Sequence, residues 1–194
     1  ASSACEMVAE VLQYIADNIR IRPAEADAMY AGIVIDTLNF TNQTGVRTFE
    51  AAAYLRRCGA DITRVRKMFR ENMAEYQAKA DAVSRAEVYR DAFAISTCSA
   101  EGLASPTIVG AQAANDLLEI NGIKASVVLT EYNHIIYASA RSIDEVNVQV
   151  MMEILGGGGH RTVAGAQLEG VSIERARAMV KDAIDEMRKK GEVS

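Results

Sequence analysis

Apolar residues recur at helical spacing near the start of the chain, where Met7, Val11, Leu12, Ile15 and Ile19 fall on one stripe. Ser2 or Ser3 can cap that helix, with Glu6 three residues after Ser3 in the arrangement of a capping box. Pro23 opens a second helix at its first turn. The unbroken apolar run AGIVID, residues 31–36, predicts a short buried strand that carries Asp36 at its end. A polar loop, TLNFTNQTG, follows. Next comes a helix over VRTFEAAAYLRRCGAD, capped by Thr48 and stopped by Gly59. Residues 62–87 read as one highly charged helix in which acids interleave with Arg and Lys, the pattern of a solvated linker.

Beyond residue 86 the pattern alternates. Residues 88–99 read as a strand, 107–120 as a helix, and 123–132 and 134–142 as two strands joined by a turn at Asn133. A helix over 142–155, started by Ser142 or Asp144, leads into four consecutive glycines. A strand at 163–170 and an amphipathic helix at 172–190 close the chain. This is an α/β pattern with a mixed sheet, in two lobes joined by a charged helix.

The 194 residues are 49% hydrophobic and 24% charged, with mean hydropathy near zero, an ordinary composition for a globular chain with a real core. The net charge of -5 argues against a basic stripe for duplex DNA, but leaves room for a local pocket that takes a small anion. Cys5, Cys58 and Cys98 are odd in number and show no C-x-x-C spacing, which fits reduced thiols in or near the core. No apolar run has the length of a membrane helix. The chain opens without Met, so it reads as part of a longer protein.

The candidate chemistry centres on LGGGGHRTVAG, residues 155–165. One glycine suffices for a helix C-cap. Four leave the backbone free to aim successive N–H groups at an anion, or to let a nucleotide lie against the main chain, and a plain tight turn remains the alternative. His160 adds a donor able to change charge near neutral pH. The run is neither a Walker loop nor a dinucleotide fingerprint, since no Gly-Lys-Ser/Thr ends it and it follows a helix. Arg141 can fork onto a phosphate or sit as a surface residue at the helix entrance. His134 reads as a turn residue, and Tyr132 and Tyr137 as sheet core or as platforms for a base.

LGGGGHRTVAGAQL, with Arg141-Ser142 and Val146-Asn147-Val148 before it, resembles the glycine-histidine motif of the DHH-associated domain in the DHH phosphoesterase superfamily. GIVIDTLNFTNQTGVRTFEAAAYLRRCGAD is similar to the last part of the DHH domain in GdpP-type cyclic-di-AMP phosphodiesterases, and ASSACE resembles the segment after the Asp-His-His motif. The resemblance implies the end of a DHH domain at 1–75, a helical linker at 76–86 and a substrate-binding DHH-associated domain at 87–194. It also implies a two-manganese phosphodiesterase, whose ligands would include Asp36 while the others lie upstream. On that footing the chain itself would bind substrate without cleaving it. Gly157, Gly158, Gly159, His160 and Arg141 would contact a cyclic or linear dinucleotide. Asn39, Arg47 and Thr48 would flank Asp36, orienting substrate or serving as caps and loop hydrogen bonds. The intact protein would act in the cytoplasm, tethered to the membrane by other segments, and this part could pair as a homodimer. A nanoRNase-like exonuclease and pAp phosphatase, or a non-catalytic nucleic-acid-binding module, are the alternatives.

Overall fold

The computed structural model describes residues 3–15, 19–41 and 44–190. Ser2, residues 16–18 near the end of the first predicted helix, and Asn42 and Gln43 of the polar loop lie outside them. The chain divides into two compact units, residues 1–70 and 71–194.

The first unit is helical: α1 (Ala4–Ile15), α2 (Pro23–Asp36), α3 (Val46–Arg57) and α4 (Ile62–Met68). Ala9, Ala26, Ile33, Ala51, Leu55 and Ala60 form its core. The α1 helix departs from its pattern. Met7, Val11 and Ile15 are exposed, whereas Ala9 and Glu6 are buried. Small residues decide this, because the helices meet closely: a Cβ on Gly32 of α2 would stand 2.4 Å from Cys5 Sγ. Glu6 tolerates burial because it accepts a hydrogen bond from Thr48 Oγ1 at 3.1 Å.

The strand predicted at 31–36 is instead the second half of α2. A short apolar run does not separate a strand from a helix, and nothing after Pro23 at the helix start breaks the turn. Within the run Ile33 is buried and Ile35 is exposed, which is one helical face and not a strand covered on both sides. The charged helix predicted over 62–87 is two helices, α4 and α5 (Met73–Ser84), each with its own cap. Asp61 Oδ1 accepts from the amides of Thr63 and Arg64, and Asn72 Oδ1 from that of Glu75. The second unit takes in α5, with Ala82 buried in its core, so the segment expected as a solvated linker packs as part of that unit.

The second unit carries a six-stranded mixed sheet in the order β1-β2-β3-β4-β6-β5. Its strands are β1 (Glu87–Tyr89), β2 (Phe93–Cys98), β3 (Ala125–Tyr132), β4 (Ile135–Ser142), β5 (Gly158–Gly159) and β6 (Val163–Glu169). Only β2 and β3 run parallel, joined over α6 (Pro106–Leu117), as a parallel pair requires. The single strand predicted at 88–99 is a hairpin, bent where Arg90 and Asp91 take positive φ. Arg90 and the Tyr89 hydroxyl both reach Asp185 of α8 (Ile173–Lys189), which fastens the hairpin to the closing helix. The helix predicted from Ser142 starts later, as α7 (Val148–Ile154), capped by Asn147.

The two faces of the sheet are covered unequally. Ile136, Ala138, Ala140, Ala164, Ala166 and Leu168 pack with α7 and α8 in the largest core. On the other face α5 and α6 cover Ala94, Cys98 and Val128 of β2 and β3, and α6 also borders β4, while β6 and β5 lie beyond them.

An acid-sensitive link holds the first unit. Buried Asp27 accepts from Arg64 Nε at 2.6 Å and from the Asp61 amide at 2.7 Å. The Arg64 hydrogen bond, seconded by the Asp61 amide, holds the Asp27 carboxyl below its ordinary 3.8 against the opposing effect of burial. A carboxyl depressed in the folded state stabilises it above the unfolded pKa, and that contribution is lost as pH falls through the folded value. Thermal unfolding followed by circular dichroism should therefore show stability falling below about pH 4, with a smaller fall in Asp27→Asn.

Candidate nucleotide-binding site

The uncovered half of the sheet forms the site, and strand register sets its layout. Antiparallel partners share a face, and same-face residues along a strand repeat every second position. One rung across β3, β4 and β6 joins Ser126, Arg141 and Val163, and the turn pair Val163–His160 extends it. The next rung joins Val128, Ser139, Gly165 and Gly158. The third joins Thr130, Tyr137 and Gln167. Tyr137, Ser139 and Arg141 of β4 are half-buried and alternate with the buried residues of the opposite face. A groove of about 450 Å³ lies over the second and third rungs, lined by Thr107 of α6, Tyr137, Ser139, Gly157, Gly165 and Gln167 among others, and the Arg141–His160 rung lies next to it, outside its lining.

Each of the four glycines has its own role. Gly156, at φ 80°, ends α7 in a Schellman motif: its amide donates to Glu153 O and that of Gly157 to Met152 O. A Cβ on Gly157 would stand 2.1 Å from Gly165 O, so the helix end and β6 touch through bare backbone. Gly159 combines φ 148° with a Cβ position 2.5 Å from Ala164 Cα. Gly158 is under neither constraint, as a Cβ there would meet nothing within 4 Å. The expected nest of amides does not form, because helix capping engages Gly156 and Gly157 and the His160 amide donates to Val163 O at 2.7 Å. The run supplies close approach and a clear floor.

The turn after the glycines is tied down on both sides. Ser142 donates its amide to Thr162 O, and Val148 donates to Arg161 O. Arg161 pairs with Asp144 at 3.2 Å, and Ser142 Oγ donates to Val146 O. His160 and Arg141 thus share one rung in a braced corner, with His160 exposed. The Arg141 guanidinium donates to Ala140 O at 2.8 Å and, among the described residues, has no carboxylate partner. Burial pulls its pKa below the usual arginine value. A desolvated cation without a counter-charge is set to take an anion. His134 occupies the β3–β4 turn with Asn133, both at positive φ, as a turn residue does.

The residues expected around Asp36 lie in the first unit. Asp36 is exposed at the C-terminal end of α2, and not at a strand end. Leu38, Asn39 and Phe40 follow it with φ of 45°, 58° and 63°, three successive left-handed residues without a glycine. Such a run is strained, at about 1–2 kcal/mol per residue. It is held by Thr37, whose hydroxyl donates to Ile33 O and accepts from the Phe40 amide, and by Phe40 stacking on Phe49 at 5.4 Å. Arg47 is engaged by Glu10 at 2.7 Å. Thr48 sits three residues inside α3, which Gly45 caps, and accepts from the Gly45 amide. Among the described residues no three His, Cys, Asp or Glu side chains come together.

Ser139 and Gln167, which the sequence does not single out, are marked by the two-residue alternation of β4 and β6, legible once the pairing is known, whereas Thr107 at the start of α6 carries no such signal. A larger concavity of about 680 Å³ lies at the carboxyl ends of β2 and β3, where Asp81, Glu101 and Glu131 outnumber the cation Arg85, itself paired with Asp81, with His134 also in the lining, a less favourable setting for an anion. The two middle glycines should behave differently. Gly157→Ala should destabilise the chain by about 1–3 kcal/mol, as overpacking does. Gly158→Ala should stay within about 0.5 kcal/mol, as unconstrained surface positions do, with chemical denaturation as the check.

Residues 94–188 match the DHHA1 domain. The chain is 42% identical over 95% of its length to the cyclic-di-AMP phosphodiesterase PdeA of Listeria monocytogenes, covering 28% of that protein. It is 41% identical over 96% of its length to the cyclic-di-AMP phosphodiesterase GdpP of Bacillus subtilis, again covering 28%. The chain thus spans little more than a quarter of the length of these curated relatives. Among solved structures, an exopolyphosphatase-related protein from Bacteroides fragilis superposes with a TM-score of 0.86 at 22% identity, over 97% of this chain and 58% of that one, a likeness of fold. From the DHHA1 domain and the near-complete alignment to these phosphodiesterases, the chain belongs to the DHH/DHHA1 phosphoesterase family.

Proposed function

We propose that the second unit is the substrate-holding part of a phosphodiesterase that hydrolyses a cyclic dinucleotide, c-di-AMP to pApA. The observation that carries this reading is the half-buried Arg141 guanidinium, free of acidic partners among the described residues and in register with His160, next to a rung that holds the glycine pair Gly158 and Gly165. Arg141 offers two parallel N–H donors to one phosphate, and His160 adds a third donor from the same rung. Ser139, beside the bare pair Gly158 and Gly165, meets the ribose. Water adds across one phosphoester bond, leaving a 5′-phosphate and a 3′-hydroxyl. In the intact protein Asp36 would be one of several ligands of two manganese ions, which would supply Lewis-acid chemistry. This chain does not assemble that site, so by itself it binds substrate and does not turn it over. The 41–42% identity to proteins named as cyclic-di-AMP phosphodiesterases supports the substrate class.

Calorimetry of this chain with pApA should show binding that weakens with added salt. Arg141→Ala should lower the affinity roughly tenfold or more, since a hydrogen bond to a charged group is worth about 1.5–3 kcal/mol. His160→Ala should lower it by a smaller factor. Unchanged affinity in both variants would move the substrate elsewhere. In the intact protein, a strong preference for pApA and pAp over c-di-AMP would favour the exonuclease reading.

A further inference from the structure

Given a phosphate at Arg141, as proposed above, we infer that the opposite end of the groove reads the nucleobase, with Gln167 selecting adenine and Tyr137 supporting the ring. Three same-face rungs of β4 and β6 span about 13 Å from Arg141 to Tyr137, at about 3.3 Å per residue. Their chemistry changes in the order a nucleotide presents its parts: a cation, a bare strip with one hydroxyl, then an aromatic ring beside an amide.

The hydrogen-bond inventory singles out this end. Elsewhere in the sheet Ser96, Ser126 and Ser142 each donate to a carbonyl of the chain. Thr107, Tyr137, Ser139 and Gln167 line one groove, and among the described residues none of their side chains has a hydrogen-bond partner. Gln167 is exposed on β6, directly opposite half-buried Tyr137. A glutamine amide offers one donor and one acceptor side by side, which matches the acceptor and donor on an adenine edge. On the edge that carries N7, adenine presents an acceptor beside a donor whereas guanine presents two acceptors, N7 and O6, so guanine meets the amide there with one pair mismatched. A phenol ring at this depth gives a base a flat apolar contact whichever base it is.

The test is calorimetry of the full chain with AMP, GMP and ribose 5-phosphate. The unmodified chain should prefer AMP over GMP by roughly tenfold, the lower part of the range for a two-point amide contact. Gln167→Ala should abolish that preference and leave ribose 5-phosphate binding unchanged. Gln167→Glu should also lose it, because a carboxylate only accepts and cannot donate to adenine N7. Tyr137→Ala should weaken AMP and GMP alike. Ribose 5-phosphate binding that depends on Arg141, with an AMP-to-GMP ratio indifferent to Gln167, would overturn the base subsite alone. Binding of ribose 5-phosphate that ignores Arg141, or no binding of AMP, would overturn the groove reading as well. Gln167 is exposed and packs into no core, so its variants fold, and a melt checks that directly.

Discussion

The site of the second unit depends on a contact between the end of α7 and β6 that leaves no room for a side chain, because Gly157 lies so near Gly165 O. That contact turns the chain out of the helix and straight into the two-residue edge strand β5, paired to β6. The following turn then brings His160 onto the rung of Arg141. A Cβ at Gly157 or Gly159 would push the edge strand away and separate the histidine from the arginine. The hydrogen bonds from Ser142 and Val148 to the turn hold the same corner from its other side.

The unequal covering of the sheet turns this corner into a groove. The α5 and α6 helices bury one face over β2 and β3, and α6 reaches only as far as the border of β4. The strip over β4, β6 and β5 keeps polar side chains and glycines, whereas the reverse side of the same strands is filled by Ala, Ile and Leu against α7 and α8. One strand therefore carries both duties. In β4 the even-numbered positions make the core, and the odd-numbered positions carry Tyr137, Ser139 and Arg141. This economy is open to an antiparallel strand with one face packed, and closed to one buried on both faces.

Much of the second unit is legible in the sequence. The strands at Ala125–Tyr132 and Ile135–Ser142, the Asn133 turn and the closing helix follow from periodicity and turn residues. The first unit is less legible for two physical reasons. Its helices touch through Ala, Gly and Cys, so the larger apolar residues of α1 do not mark the buried side. A six-residue apolar run also carries no period long enough to tell strand from helix, which is how α2 passed for a strand at Ala31–Asp36. In the site, Arg141 and His160 stood out because their neighbours were unusual. Gln167 did not, since an exposed glutamine on a strand is ordinary until its partner across the ladder, Tyr137, is known.

The most direct measurement is a backbone amide NMR titration of this chain with pApA. Binding in the groove predicts that the largest shift changes fall on Ser139, Arg141, Gly158, His160, Gly165 and Gln167, along three adjacent rungs of the open sheet face. Changes confined to the carboxyl ends of β2 and β3, around Ser99 and Asn133, or to the first unit, would contradict it.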